Sequence, residues 1–218
     1  MQFFDNANNF RNYQFSLIEE YIKGDVAEVG PGNGALVKLY YKKAKLIHLF
    51  EPSKNLFINL KKKLKKNKKI FIYNKKFELR SNSYDTILYL DVLEHIKNDK
   101  LEITKAHKSL KKGGKLIINV PAFQHLYSKF DSDINHYRRY SKSEFIKITK
   151  HFNILEIKYF DSIGYILSLL SKVFISDYKK NFKKKIAIWD SLIIFSKILD
   201  YFLFNLFGKS LLIIIEKK

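Results

Sequence analysis

The chain contains no cysteine, and this absence removes several kinds of chemistry at once. Disulfide bonds, zinc–thiolate sites and cysteine nucleophiles are all excluded. Residues 1–12 are polar and lack the apolar core of a signal peptide, so a cytoplasmic location is expected. At 218 residues, 46% of them hydrophobic, the chain is long enough for a single domain of good size with an ample core.

Arginine is almost as scarce, since only four of the 41 basic residues are arginine. A net charge of +20 is typical of proteins that bind nucleic acid. The abundance of lysine, asparagine and isoleucine together, however, indicates a compositional bias of the genome as much as selection for polyanions. Nucleic acid is therefore a disfavoured partner. The same bias makes the adjacent pair Arg138-Arg139 stand out, because an ordinary surface cation in this chain is a lysine.

Glycine is also rare, yet three of the eight glycines lie at positions 30, 32 and 34. A short apolar run precedes them and a helical pattern follows. A strand, a glycine turn and a helix that open a βαβ unit typically bind a nucleotide-like cofactor. The alternative is a tight strand-to-helix turn without a ligand.

Strands and helices alternate along most of the chain, which predicts a doubly wound α/β domain with a mostly parallel sheet. The expected strands are a run ending at residue 29, then 46–50, 70–73, 84–90, 116–120, 154–160 and 211–215. The expected helices are 8–22, 35–43, one that begins after Ser53, 97–110 and 141–151, with a C-terminal stop at Lys111-Lys112-Gly113-Gly114. In such sheets the ligand lies beyond the carboxyl ends of the strands, where Gly30–Gly34, Glu51, Asn74, Asp91 and Pro121 all fall.

Two cofactors compete for the glycine turn. The spacing Gly30-x-Gly32-x-x-Ala35, with Glu51 further along, matches the fingerprint of a dinucleotide site. Pro31 argues against it, because proline removes a backbone N–H from a loop that would have to bind a pyrophosphate.

The other option rests on a series of motifs. Gly30-x-Gly32-x-Gly34 after Glu28-Val29 resembles motif I of class I S-adenosylmethionine-dependent methyltransferases. The segments 84–95 and 111–116 are similar to that family's fourth strand and to the entry of its fifth, with lysine where proline is common. The resemblance covers about residues 8–160 and the last strand. It is closest to small-molecule enzymes, of the quinone type and of glycan pathways.

The resemblance implies a Rossmann-like doubly wound sheet of seven strands, mostly parallel, with an antiparallel last strand beside the sixth. It also implies S-adenosyl-L-methionine as the cofactor. The residues expected to bind it are Glu28, Gly30, Gly32, Gly34, Glu51, Asn74 and Asp91. Glu51 is the strongest of these candidates, because a carboxylate can accept hydrogen bonds from both ribose hydroxyls.

Methyl transfer to an oxygen is helped by a general base, and histidine titrates near neutral pH. His136 is the first choice for this role and His95 the second. Asp91-x-x-Glu94-His95 also resembles a segment of quinone-type O-methyltransferases that can hold a divalent cation. Capping and packing at a helix start is the alternative, so no metal is assigned and Asp91, Glu94 and His95 remain an option only.

The long polar segment from Pro121 to Tyr140 is predicted to bind the acceptor, because loops of this kind usually carry function. It resembles a stretch in methyltransferases linked with glycan and lipid-linked sugar pathways. The candidates are Tyr137, Arg138, Arg139 and Tyr140, with an arginine binding an anionic group. An ion pair with Asp131 or Asp133 that fastens the loop is equally compatible.

Residues 1–218 are interpreted as one methyltransferase domain in which 162–207 is an apolar helical insertion before the last strand. Three charged residues (Asp190, Lys197 and Asp200) interrupt it, so it lacks the uncharged run of a membrane-spanning helix. It either caps the substrate cleft or contacts a membrane surface, helped by the lysines at 179–185. The cap is the preferred interpretation.

The sequence thus predicts an enzyme that transfers a methyl group from S-adenosylmethionine to a small or lipid-linked acceptor, at an oxygen. A nucleic-acid methyltransferase is a weaker alternative. Families that methylate bases resemble one another in an N/D-P-P-Y type motif after the fourth strand, whereas this chain has Asp91-Val92-Leu93-Glu94 at that place. There are two further alternatives. One is a nicotinamide-dependent oxidoreductase that uses the same loop, and the other is a cofactor-binding subunit without catalysis.

Overall fold

The computed structural model describes residues 7–64, 67–174 and 180–218, and within them seven strands form one sheet in the order β3-β2-β1-β4-β5-β7-β6. The strands are β1 Gly24–Val29, β2 Ala44–Phe50, β3 Ile70–Tyr73, β4 Tyr84–Leu90, β5 Leu110–Pro121, β6 Asn153–Phe160 and β7 Ser210–Glu216. β1 to β5 pair in parallel, whereas β7 runs antiparallel to both β5 and β6. The predicted Rossmann-like fold, including the last strand inserted beside the sixth, is confirmed.

Helices cover both faces of the sheet. They are α1 Asn8–Ser16, α2 Val37–Tyr40, α3 Lys54–Leu64, α4 Asp99–Ser109, α5 Lys129–Asp133, α6 Lys142–Ile148, α7 Ser162–Phe174, α8 Phe182–Ser191 and α9 Ile193–Phe202. Because side chains alternate along a strand, the buried strand residues divide between two cores. In β7, Leu212 and Ile214 pack with α1, α2, α3 and α8, whereas Ile213 and Ile215 pack with α4 and α6.

Several predicted boundaries were wrong. The first helix ends at Ser16 and a short 3₁₀ turn follows, and α2 spans only Val37–Tyr40. The fourth helix does end before the predicted stop at 111–114, at Ser109. Residues 111–114 themselves belong to β5, where the Gly113 amide donates to the Lys217 carbonyl and the Lys217 amide to the Gly114 carbonyl. Sequence pattern alone does not reveal that pairing, since its two partners are about a hundred residues apart.

The segment 162–207 forms α7, α8 and α9, and no helix among the described residues is long and apolar enough to cross a membrane. Lys179 and part of the lysine-rich stretch 61–69 lie outside the described residues.

Candidate active site

The three glycines of the loop after β1 all have positive φ, and their surroundings are of two kinds. A Cβ on Gly30 would lie 2.7 Å from the side chain of Val92, and one on Gly34 would lie 2.6 Å from Leu60. Gly32 is different, because no atom lies within 4 Å of the place its Cβ would take. Gly32 also lines the main cavity, so a side chain there would enter space that a ligand can use.

Glu51 ends β2 beside this loop and is held by two backbone amides. Gly32 N donates to Glu51 Oε2 at 3.1 Å, and Ser53 N donates to Oε1 at 2.9 Å. Burial raises the pKa of Glu51, and these two hydrogen bonds oppose the rise. The carboxylate is therefore fixed in position at the carboxyl end of the sheet before any ligand arrives.

Glu28 lies at the end of β1 and lines the same cavity. The Tyr40 hydroxyl donates to its Oε2 at 2.5 Å. Burial raises the pKa of Glu28 to about 7, although the hydrogen bond from Tyr40 and the nearby Arg11 lower it. The side chain thus lies close to the midpoint of its titration near neutral pH.

Asp91 follows β4 in a left-handed conformation with φ of 58°. Asn119 Nδ2 donates to its Oδ1 at 2.6 Å, and Arg11 Nη1 donates to its Oδ2 at 3.2 Å. The segment that contains Leu93–His95 is a 3₁₀ turn rather than the predicted α-helix start. Asp91 and His95 still both line the cavity.

The structure places Asn74 against the backbone behind Glu51. Its Nδ2 donates to the Glu51 carbonyl at 2.9 Å and to the Pro52 carbonyl at 3.2 Å. Asn74 is not part of the cavity lining, and its predicted contact with the cofactor stays a prediction.

A cavity of about 620 Å³ connects the glycine loop with the helices of segment 162–207. Its lining includes the predicted residues Glu28, Gly30, Gly32, Asp91, His95, His136 and Arg139. The far end is formed by side chains of α7 and α8, among them Leu167, Lys172, Phe182, Ile186 and Trp189. This volume is in the range of small-molecule sites.

His136 is oriented by a buried ion pair. Its Nδ1 lies 2.9 Å from Asp131 Oδ1, and Arg139 donates to both oxygens of Asp131 at 3.0 Å. Burial alone would raise the pKa of Asp131, but the bonds from His136 and Arg139 outweigh it and lower the pKa to about 2. Since ionised Asp131 can only accept, His136 carries its proton on Nδ1 and keeps the Nε2 lone pair available.

His95 stands next to His136, with ring centroids 4.6 Å apart. Its Nδ1 faces the Asn135 carbonyl at 3.3 Å, which leaves the lone pair on its Nε2 as well. Burial, and then the neighbouring His136, lowers the pKa of His95 to about 4. His95 is therefore held in its neutral form, with the lone pair of its Nε2 beside the His136 ring.

Glu94 completes this group. It is buried and lies 3.6 Å from His136 Nε2, and its Oε2 has no hydrogen-bond partner. Burial, and then the charge of Asp91, raises the pKa of Glu94 well above its ordinary value. Ligand atoms of Glu94, His95 and His136 lie within 4.8 Å of one another, and an orphaned carboxylate oxygen with two imidazoles suits a divalent cation. The candidate metal ligands from the sequence were Asp91, Glu94 and His95. In the structure His136 lies with Glu94 and His95 instead, whereas Asp91 is bound by Arg11 and Asn119.

The other acceptor candidates lie outside the cavity lining. Tyr137 is exposed, whereas Arg138 Nη1 donates to Asp99 Oδ2 at 2.6 Å and the buried Tyr140 hydroxyl donates to the same oxygen at 2.9 Å. Of the four, only Arg139 faces the cavity, and it makes the ion pair with Asp131 that was the alternative reading. Acceptor binding by these residues stays a prediction.

The structure brings two residues into the site, Asp131 and Arg11, that the sequence did not identify as site residues. The sequence offers Asp131 only as an ion-pair partner of an arginine. The signal that could have linked it with His136 is their short separation of five residues. Arg11 belongs to α1, far from every motif, and no local signal connects it with Asp91.

We compared the chain with known proteins, by family and by structure. Residues 27–118 match the family model described as a methyltransferase domain. A search of the curated proteins finds no significant match.

Among solved structures, Haemonchus contortus phosphoethanolamine N-methyltransferase 2 in complex with S-adenosyl-L-methionine is 17% identical with a TM-score of 0.64, covering 94% of this chain and 52% of that one. The YcgJ protein from Bacillus subtilis is 13% identical with a TM-score of 0.63, covering 97% and 99%. The [4+2]-cyclase SpnF is 14% identical with a TM-score of 0.63, covering 94% and 81%. At such identities the likeness establishes the fold, and one of these neighbours is described as a cyclase, so function has to be argued from the site.

Residues 27–118 thus match a methyltransferase domain model, and the chain around them has the fold of class I S-adenosylmethionine-dependent methyltransferases. This confirms the resemblance stated from the sequence motifs.

Proposed function

We propose that this protein transfers a methyl group from S-adenosylmethionine to an oxygen of a small or lipid-linked acceptor. The observation that carries the choice of cofactor is the hydrogen bonding of the glycine loop. Gly30 N donates to the Phe50 carbonyl, Gly32 N to Glu51 and Gly34 N to the Pro31 carbonyl, and Pro31 has no N–H. The three glycine amides are thus already used within the protein.

A pyrophosphate needs such amides, so this pattern disfavours a dinucleotide. S-adenosylmethionine has no phosphate and carries positive charge on its sulfonium and ammonium groups. The carboxylates of Glu28 and Asp91 on the cavity wall suit those charges. Glu51 is not part of the cavity lining, but it accepts a hydrogen bond from the lining residue Gly32, and its carboxylate suits the ribose hydroxyls. The residues of this chain would hold the cofactor along the loop, in the same cavity that the histidines line.

Methyl transfer is an in-line displacement, in which the enzyme mainly supplies proximity and alignment. S-adenosylmethionine would supply a methyl group activated on a sulfonium when bound, and this chain's residues would hold the acceptor oxygen in line with it. His136 Nε2 is the group proposed to take the proton from that oxygen, because Asp131 fixes the proton of the ring on Nδ1. Since Nε2 faces the cavity group of Glu94 and His95, an acceptor hydroxyl can reach it from the helical end of the cavity.

Calorimetric titration with S-adenosylhomocysteine and with NAD in parallel tests the cofactor. We expect S-adenosylhomocysteine to bind with a dissociation constant in the micromolar range or below and NAD to show no saturable heat. Tight binding of NAD together with no binding of S-adenosylhomocysteine would reverse the assignment to an oxidoreductase.

A metal-assisted version of the same reaction is the second candidate, and the orphaned Oε2 of Glu94 is the observation that favours it. A divalent cation held by Glu94, His95 and His136 would act as a Lewis acid on the acceptor oxygen. The expected result in that case is uptake of one Zn²⁺ per chain in a direct metal titration, abolished by His95→Gln. A chain that takes up no Zn²⁺ and keeps full activity after exhaustive chelation removes this candidate.

A lipid-linked acceptor would be met at a bilayer, which is why peripheral membrane contact forms part of the proposal. The cavity wall formed by α7 and α8 is apolar with lysines, as an amphiphilic anionic acceptor requires. A nucleic-acid acceptor is less well supported, because the histidines line a cavity of small-molecule size among the described residues.

A further inference from the structure

The helix α9 has two faces of opposite character. Its inner face is anchored to the body of the domain through the buried residues Ile193, Ser196 and Asp200. Asp200 accepts hydrogen bonds from the backbone amides of Asp161 and Ser162 at the start of α7, at 2.7 and 2.9 Å. The orientation of α9 is therefore fixed by specific contacts, and its outer face is held toward solvent.

The outer face carries large apolar side chains that nothing in the described chain covers. Tyr201 is 78% exposed, Phe202 70% and Phe204 84%, and α9 and the turn after it carry four other exposed apolar residues. We call this set the α9 face: Ile194, Phe195, Ile198, Tyr201, Phe202, Phe204 and Leu206. Monomeric proteins rarely leave so many contiguous aromatic and aliphatic side chains in water, and such patches mark interaction sites.

The turn after α9 holds its apolar residues outward at a conformational cost. Phe204 and Asn205 are consecutive left-handed residues, with φ of 50° and 54°. This conformation is unfavourable for a large side chain such as phenylalanine. Hydrogen bonds from Asn205 N to the Asp200 carbonyl and from Tyr159 N to the Asn205 carbonyl keep the turn in place. Strain that persists in this way is typical of functional segments.

The exposed charges of the helical insertion that carries the α9 face have one sign. Between residues 162 and 206, the described acidic side chains are Asp190 and Asp200, and both accept hydrogen bonds from backbone amides at helix starts. The exposed charged side chains of the same described stretch are all lysines: Lys172, Lys180, Lys183, Lys184 and Lys197, the last of them on α9 itself. An apolar face on an insertion of this charge is complementary to a bilayer that contains anionic lipids.

The position of the α9 face distinguishes it from a cap over the cleft. Side chains of α7 and α8 line the cavity, whereas no residue of α9 does. Only the earlier part of the insertion can thus serve as the cleft wall. We propose that the α9 face docks on an anionic lipid bilayer, with its aromatic side chains inserted at the headgroup boundary. This goes beyond methyl transfer, since the contact requires neither the cofactor nor the histidines.

Flotation of the full chain with vesicles tests this inference. We expect the protein to float with phosphatidylcholine–phosphatidylglycerol vesicles and to bind phosphatidylcholine vesicles far more weakly. The double variant Phe202→Ser with Phe204→Asn should lose at least about tenfold in partition coefficient, because it removes two inserting aromatic rings. Asparagine tolerates the left-handed conformation at 204, so this variant relieves strain and is expected to fold. Replacing Lys183 or Lys184 by glutamine should weaken binding to the anionic vesicles about fivefold each.

The matched control is Leu101→Ser on α4, since Leu101 is 64% exposed but lies far from the α9 face in the fold. It should bind vesicles like the unmodified chain. Failure of the unmodified chain to float with anionic vesicles, or equal flotation of the double variant, would overturn the inference. So would a homodimer in sedimentation that the double variant dissociates while vesicle binding is absent. S-adenosylhomocysteine titration of the same variants separates this outcome from failure of the methyltransferase proposal.

Discussion

Replacing Glu51 by alanine is expected to weaken the binding of S-adenosylhomocysteine by at least about a hundredfold. A hydrogen bond to a charged group contributes about 1.5–3 kcal/mol, and the carboxylate is proposed to accept two of them from the ribose. Each 1.4 kcal/mol corresponds to about a tenfold change in affinity. The variant also frees the amides of Gly32 and Ser53, which loosens the loop that the ligand must cross. Calorimetric titration with S-adenosylhomocysteine measures the loss.

The matched control is Glu78→Ala, because Glu78 is an exposed glutamate whose partner is Lys75 rather than the loop. It should bind S-adenosylhomocysteine with unchanged affinity. Thermal unfolding of both variants shows whether each is folded at the temperature of the titration. If the affinity of folded Glu51→Ala stays within about threefold of the unmodified chain, the ribose is held by other residues. The loss of two charged hydrogen bonds would lower the affinity by much more than that.

The contact between the glycine loop and Glu51 could be predicted from the sequence because its signals are local. Three glycines within five residues require a turn, and an acidic residue after the next apolar run lies at the neighbouring strand end. In the structure Gly32 opens to the cavity and donates to Glu51, so the two local signals meet in one contact. The order of the strands followed from their alternation with helices and from the family resemblance.

The acceptor half could not be predicted in the same way, because its contacts join distant parts of the chain. Glu94 meets His136 across 42 residues of sequence. The arginine pairs show the same limit in part: the sequence allowed an ion pair with Asp131 or Asp133, but only the fold shows that Arg139 pairs with Asp131 and Arg138 with the more distant Asp99. Burial and pairing of charges are tertiary properties, and a pattern of residue types carries little information on them.

The apolar segment illustrates a further distinction. From the sequence, 162–207 was a single insertion with a cap and a membrane surface as exclusive alternatives. In the structure the two surfaces belong to different helices, since α7 and α8 contribute to the cavity wall and the outer face of α9 is open to solvent. If both proposals hold, the bilayer contact and the cleft are adjacent, because α7 packs against both α8 and α9. An acceptor anchored in the bilayer would then reach the histidines along α7 without leaving the lipid surface.

His136→Gln is expected to lower turnover by about two to four orders of magnitude, while the affinity for S-adenosylhomocysteine stays within about twofold. Glutamine preserves polarity and approximate size but has no ring nitrogen that can take a proton. Turnover is measured as S-adenosylhomocysteine release, with the best substrate from a panel of phenolic and carbohydrate hydroxyl compounds. His151→Gln is the matched control, because His151 is exposed and outside the cavity lining, and it should leave turnover unchanged.

The same variant separates a base from a ligand of a metal, because the two roles differ in what else is lost. If His136 acts as the base that Asp131 orients, turnover of the unmodified chain is insensitive to chelation and falls in His136→Gln. His95→Gln then costs much less, since burial holds the pKa of His95 at about 4 and makes it a weak base. If a cation is held instead, both substitutions and chelation remove activity together, because each removes part of one ligand set. Equal turnover in His136→Gln and the unmodified chain rejects both roles and shifts the chemistry to alignment alone, which the loop and the cavity walls supply.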